Sequence, residues 1–294
     1  MLTRLLPRSI SIPSTTQVAF ISADVNYKPI RRVEKPDGFL RHSNPLSREV
    51  LRRGWKSAKG RSVDIVRADE RDRDFAGQFF GEEFSTWNNC CRHSKMTFEE
   101  FESMAAPGTD VTIAKGDLFM AFDGDKLIGT LYNSNHTEKD FEQMWHGEMP
   151  GNPNPVFRVK DDYADVIASY PYARTMNQFM GLLDILQPQT GKFLPANIKK
   201  FGITEALTIH PALHKEGVGY ALIEVGDEVF KKRGVSHIGV YALAYGAQQI
   251  CARLGYKTVQ DLPYANFKEN GKPVYENMYD GATSAKCMVK VLKN

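Results

Sequence analysis

Residues 203–220 constrain this chain more than any other stretch. The apolar run from Leu207 to Ile209 reads as the end of a strand. Pro211 follows, and a short loop then carries two glycines one residue apart, Gly217 and Gly219. From Val218 the period changes: Val218, Ala221, Leu222, Val225 and Val229 recur at helical spacing. A strand therefore feeds a glycine loop, and the loop opens a helix. Such a loop aims backbone N–H groups out of a helix N-terminus, which makes an anion site suited to phosphate. A side chain at either glycine would hold a pyrophosphate away from the backbone.

The spacing fits neither of the two common nucleotide loops. One needs three glycines, the other Gly-Lys-Ser/Thr. At 294 residues the chain is long enough for one sizeable core. No stretch approaches 18 consecutive apolar residues, so no membrane span is expected. Cys90, Cys91, Cys251 and Cys287 have no metal spacing, and so few cysteines suit a reducing compartment. Residues 1–60 carry 12 Lys/Arg against 4 acidic residues, which leaves the remainder net acidic although the whole chain is +3. An acidic body attracts cationic amines weakly. The basic leader lacks interleaved aromatics, so nucleic acid is not an expected partner. Residues 1–60 read as a basic, poorly ordered extension and residues 61–294 as the folded domain. Cytoplasmic location is expected. The alternative is mitochondrial import, since residues 1–20 are basic, hydroxyl-rich and free of acids, though Pro7 and Pro13 interrupt any amphipathic helix.

Along the body, residues 63–67 alternate like a strand, and a helix is expected over 69–84 with Phe75, Ala76, Phe79 and Phe80 on its apolar face. Thr97 and Glu100 make a capping box for a helix over 97–106. Residues 118–122 and 126–131 read as strands about a turn at Gly124. Residues 136–160 read as a long loop, either a substrate lid or an insertion, and 163–186 as helical, broken near Pro171. After the glycine loop, the helix from Val218 ends at Lys231, Lys232, Arg233 and Gly234. A central strand (237–243), a short helix (247–254) and strands at 256–259 and 285–292 follow, with Asn270-Gly271 as a turn. This order predicts a mixed α/β sheet with helices on both faces.

The run from His214 to Gly219 resembles the acetyl-CoA loop of the GNAT superfamily of N-acetyltransferases, Arg/Gln-x-x-Gly-x-Gly/Ala, with His214 in place of Arg/Gln. The segment Phe79 to Phe84 resembles the Phe-Phe-x-Asp-Glu-Pro-Leu segment of insect-type arylalkylamine (dopamine) N-acetyltransferases. Leu254-Gly-Tyr256, Leu262-Pro-Tyr264, residues 267–272 and residues 288–292 are similar to that family's C-terminal segment. The resemblance covers residues 63–292 in outline. It implies the acetyltransferase fold, a mostly antiparallel mixed sheet with helices on both faces. It also implies acetyl-CoA as co-substrate and transfer to a small primary amine such as dopamine, serotonin, tyramine or octopamine. No metal is expected from the Cys and His spacing, and a monomer is expected. A polyamine or protein amine, or a non-catalytic acyl-CoA-binding module, are the alternatives.

The resemblance places the general base at Glu83. Glu83 closes the apolar helix face, where a carboxylate beside aromatics loses solvation; Glu82 has a claim to the same face, and only the resemblance favours Glu83. Glu205 is the second candidate base. The tyrosine that many superfamily members use as general acid is replaced by Cys251, and the insect family's serines by Ala247 and Cys251. A thiol there serves either as acid or as a buried core residue. The pantetheine arm is expected along the strand at Leu207, Thr208 and Ile209, and the pyrophosphate at Lys215, Glu216, Gly217, Val218, Gly219 and Tyr220. His210 and His214 flank the loop without an acidic partner for a metal. Trp87, Trp145 and Tyr132 are candidates for an aromatic amine pocket or for the core.

Overall fold

The computed structural model describes residues 27–292. The import signal weighed for residues 1–20 lies outside them. Eight strands form one sheet: β1 (Val50–Lys56), β2 (Ser62–Arg67), β3 (Leu118–Asp123), β4 (Lys126–Thr137), β5 (Lys200–Ile209), β6 (His237–Ala242), β7 (Lys257–Pro263) and β10 (Ser284–Val291). Their spatial order is β1-β2-β3-β4-β5-β6-β10-β7. Every neighbouring pair is antiparallel except β5–β6. A separate two-stranded ribbon, β8 (Lys268–Glu269) and β9 (Lys272–Pro273), turns at Asn270-Gly271, both with positive φ as a type I′ turn demands.

Helices cover both faces. On one lie α1 (Arg73–Trp87), α2 (Asn89–Ser94), α3 (Phe98–Ala114), α5 (Ala164–Ala168) and α6 (Arg174–Leu186), whose apolar residues meet Met120, Phe122, Tyr132 and Ala206 of the sheet. On the other lie α7 (Val218–Lys232) and α8 (Tyr245–Arg253), packed on Ile65, Phe119, Ala121 and Leu131. Alternate residues of one strand thus serve two cores, as a pleated strand requires. The helix α4 (Glu138–Met144) roofs a third cluster around Trp145, Phe201 and Ile203. The expected mixed sheet with helices on both faces is the fold found.

Three differences have physical causes. The sheet starts ahead of residue 61: β1 pairs with β2, and residues 27–42 lie packed on the body rather than as a loose leader. Ile30 sits against Gly77, the Val33 amide donates to Gln78 Oε1 at 2.8 Å, and Leu127 N–H donates to the Leu40 carbonyl at 2.9 Å. This segment has no periodicity because it is held by single anchors. The capping box at Thr97 is present, but α3 runs on through Pro107 to Ala114. Tertiary packing of Thr109, Thr112 and Ile113 overrides a proline that propensity alone reads as a stop. The expected loop at 136–160 is shorter, because β4 continues to Thr137 and α4 follows.

Candidate active site

The ladders on both sides of β5 change at Glu205. Toward β4, Tyr132 pairs with Ala206 and the next residue, Asn133, pairs with Thr204, so Glu205 is the extra residue of a β-bulge. Toward β6, pairing runs from Phe201 to Thr204 and stops. Among the described residues, β5 from Glu205 to Ile209 therefore has a strand partner only at its β4 edge. The other edge is open to an extended ligand chain, and it carries Leu207, Thr208 and Ile209. The Thr208 hydroxyl is buried there without a hydrogen-bond partner among the described residues.

The glycine loop follows. A short 3-10 turn (Pro211–Leu213) leads to Lys215 at φ +65° and Gly217 at φ +86°. Gly217 caps α7 in the left-handed region. The N–H groups of Val218, Gly219 and Tyr220 have no acceptor among the described residues. Gly219 permits a close approach: a Cβ there would come within 3.1 Å of Leu207 and 3.3 Å of Ile250. The loop thus has the unpaired donors that a pyrophosphate needs. Glu216 has a different role from the one expected. Its N–H reaches the Leu213 carbonyl at 3.3 Å, and its own carbonyl accepts from Ala58 N–H at 3.0 Å. Its fully buried carboxylate accepts from Ser57 Oγ at 3.0 Å and Arg61 Nε at 3.1 Å, with Lys59 Nζ at 3.2 Å. Burial alone would raise this carboxyl, but Lys59, Ser57 and Arg61 hold it below its ordinary value. Glu216 thus moors the loop to the β1–β2 turn and has no free donor for a ligand. His214 Nε2 lies 3.0 Å from the Ile209 carbonyl and His210 Nε2 3.2 Å from that of Gly38, so both histidines face backbone.

Glu83 is buried near the end of α1, as expected, but it is not alone. Lys35 reaches in from the N-terminal segment, with Nζ 2.6 Å from Glu82 Oε2 and 3.3 Å from Glu83 Oε1. Burial works against the ammonium, yet hydrogen bonds and charges from Glu82 and Glu83 outweigh it and hold its pKa above the ordinary value. The desolvated, unpaired carboxylate expected at Glu83 is instead one arm of a three-charge cluster.

Glu205 is the opposite case. Its side chain keeps part of its surface open, but its surroundings are dense enough to push its carboxyl up to about 7. The opposing influences are a hydrogen bond from Ser134 Oγ, 2.5 Å from Oε1, and the more distant charge of Lys115. Ser134 in turn lies 2.8 Å from His136 Nε2. Neither residue was singled out from sequence. Their signal is two polar side chains two apart in a strand, hence on one face, and it was hidden because the strand was expected to end at residue 131.

Cys251 is sealed in the α7–α8 core, on the face away from α1, and burial pushes its thiol up to about 12. It is a core cysteine without the access an acid needs. Trp145 and Tyr132 are fully buried core residues. Trp87 is half-buried and meets His214 edge-on at 6.2 Å, beside the glycine loop. The structure brings Glu205 next to the open strand edge and that edge next to the glycine loop. Glu83 shares no hydrogen bond or ion pair with Glu205, and Cys251 belongs to neither group. Among the described residues, no group of three or more His, Cys, Asp or Glu is placed to hold a metal ion.

No family model and no curated protein sequence matches the chain. Solved structures do. The polyamine N-acetyltransferase of Drosophila melanogaster, which forms N-acetylagmatine, superposes with a TM-score of 0.59 at 12% identity, covering 79% of this chain and all of that one. Arylalkylamine N-acetyltransferase 2 of Aedes aegypti gives 0.56 at 14% identity, over 79% of this chain and 99% of that one. The C-terminal condensation domain of Ebony, bound to β-alanyl-dopamine, gives 0.53 at 12% identity, over 79% and 100%. At such identities the likeness is one of architecture, and one architecture hosts several reactions. The fold of this chain is the GNAT acetyltransferase fold.

Proposed function

We propose that this chain transfers an acetyl group from acetyl-CoA to a primary amine, with Glu205 as general base. The observation that carries the reading is a carboxyl pushed to about 7, at a bulge, beside a strand edge without a partner. A primary amine is mostly protonated near neutral pH, so one proton must leave before nitrogen attacks. A carboxyl with a pKa near 7 divides its time between the form that takes the proton and the form that returns it to solvent. The nitrogen then attacks the thioester carbonyl, the C–S bond breaks, and CoA leaves as a thiolate or thiol. The open edge at Leu207, Thr208 and Ile209 suits the pantetheine arm, and the N–H groups of Val218, Gly219 and Tyr220 suit the pyrophosphate. Lys215 and Gly217 serve by conformation, each in the left-handed region.

A small-molecule amine is the proposed acceptor, and arylalkylamines lead on the resemblance at residues 79–84. One observation favours a second reading of the acceptor. The Glu82–Glu83 pair holds an ammonium, that of Lys35, so a diamine or guanidino-amine whose far charge displaces Lys35 would meet two carboxylates there. Release of CoA in the presence of arylalkylamines, diamines and agmatine, measured by thiol capture, decides between them. Turnover with at least one panel member is expected, and turnover with agmatine or a diamine alone would select the second reading. Binding of acetyl-CoA without turnover for any amine would leave a non-catalytic acyl-CoA-binding module.

A further inference from the structure

We propose that Ser134 and His136 are positioning residues for Glu205, a donor chain on β4 that occupies one carboxylate oxygen and leaves the other for the incoming ammonium. The inference rests on the reading of Glu205 as base.

Residues 134 and 136 are two apart in β4 and share a face. The Ser134 hydroxyl donates to Glu205 Oε1 at 2.5 Å. With Glu205 ionised, the single hydroxyl hydrogen of Ser134 goes to Oε1, so the 2.8 Å contact between Ser134 Oγ and His136 Nε2 is filled by the imidazole N–H. That puts a proton on His136 Nε2, and in a neutral ring it leaves Nδ1 bare. Its surroundings agree with a neutral ring: it is buried, and burial pushes its pKa down to about 4, opposed by Asp140 of α4 and assisted by the charge of Lys115 after α3. The charged and titratable groups that face Glu205 are Lys115 and, from β6, Tyr241, whose hydroxyl lies 3.1 Å from Thr190 Oγ1. None of them donates to the carboxylate in place of Ser134. The chain therefore runs one way, His136 to Ser134 to Oε1, and Oε2 is the oxygen left to accept. A base held by one oxygen cannot rotate freely, so its lone pair is aimed before the substrate arrives.

The test is the pH dependence of kcat/KM for the full chain with an amine that turns over. Removing the donor with Ser134→Ala takes away a hydrogen bond to the charged form, so the acid limb moves to higher pH by about half a unit to one unit. The same change lowers kcat about tenfold, with the KM for acetyl-CoA unchanged. Ser134→Thr, which keeps the hydroxyl, restores the limb. If Glu205→Gln abolishes the limb while Ser134→Ala leaves both limb and kcat at the wild-type value, the donor chain is refuted. If Glu205→Gln itself leaves the limb in place, it is the base assignment that fails. Nitrogen NMR of 15N-imidazole-labelled protein gives a readout independent of activity: His136 protonated on Nε2 is expected at pH 7, and protonation on Nδ1 overturns the chain.

Discussion

Glu83, which is buried, and Glu205, which is partly open but densely surrounded, have opposite environments. Glu83 shares the Lys35 ammonium with Glu82, whereas Glu205 meets a hydroxyl and a neutral imidazole chain. At Glu83 the shift falls on the cation: the two carboxylates hold the Lys35 ammonium above its ordinary value although burial works against it. At Glu205 the crowded surroundings outweigh a neutral donor and the more distant Lys115, so the carboxyl holds its proton to higher pH. Proximity to aromatics, which pointed to Glu83, does not separate the two cases; the partner does.

The largest expected effect follows directly. Glu205→Gln should lower kcat by about 10²- to 10⁴-fold and remove the acid limb of the pH–rate profile, while Glu83→Gln keeps the limb. A limb lost only with Glu83→Gln would invert the comparison. Next is stability. The Glu205 carboxyl is raised in the folded state, so its favourable contribution is fully present below about 4.5 and is lost as pH rises through about 7. Glu205→Gln, which stays neutral, should therefore gain on the order of 1–3 kcal/mol over wild type at pH 8.5 and nothing at pH 4, read by chemical denaturation at both. Smallest is Lys35→Met. Removing the cation leaves two adjacent carboxylates facing each other and should cost about 1 kcal/mol at pH 7. Much of that should return in the Lys35→Met/Glu82→Gln double variant. Full additivity of the two changes would show that the ammonium does not couple to the pair.

The glycine loop and its helix were legible because their signals are local: a change of hydrophobic period, a glycine where φ is positive, and a glycine where two chains approach. The hairpin turn at Gly124 and the type I′ turn at Asn270-Gly271 were legible for the same reason. Glu205 was legible as a candidate but not as the stronger one. Its bulge and its missing partner strand arise only when β4 and β6 come together around β5, residues far apart in sequence. Ser134 and His136 were lost with the end of β4, and Lys35 was lost when the N-terminal segment was read as loose. In each case the missing information was a long-range partner rather than a misjudged residue type. Glu216 taught the reverse lesson: a residue inside a phosphate-loop pattern spends every polar group on its support.

That support has a consequence for how a ligand would be received. The turn between β1 and β2 grips Glu216 through a backbone bond and three side chains. The first strand of the sheet is thus the stake to which the glycine loop is tied. A loop held in one shape before an anion arrives would lose little conformational freedom on binding, so more of the contact energy would survive as affinity. Cutting the chain just before residue 61 would remove Ser57, Lys59 and the Ala58 amide together. The glycines would remain, and the loop would have to be ordered anew at every binding event.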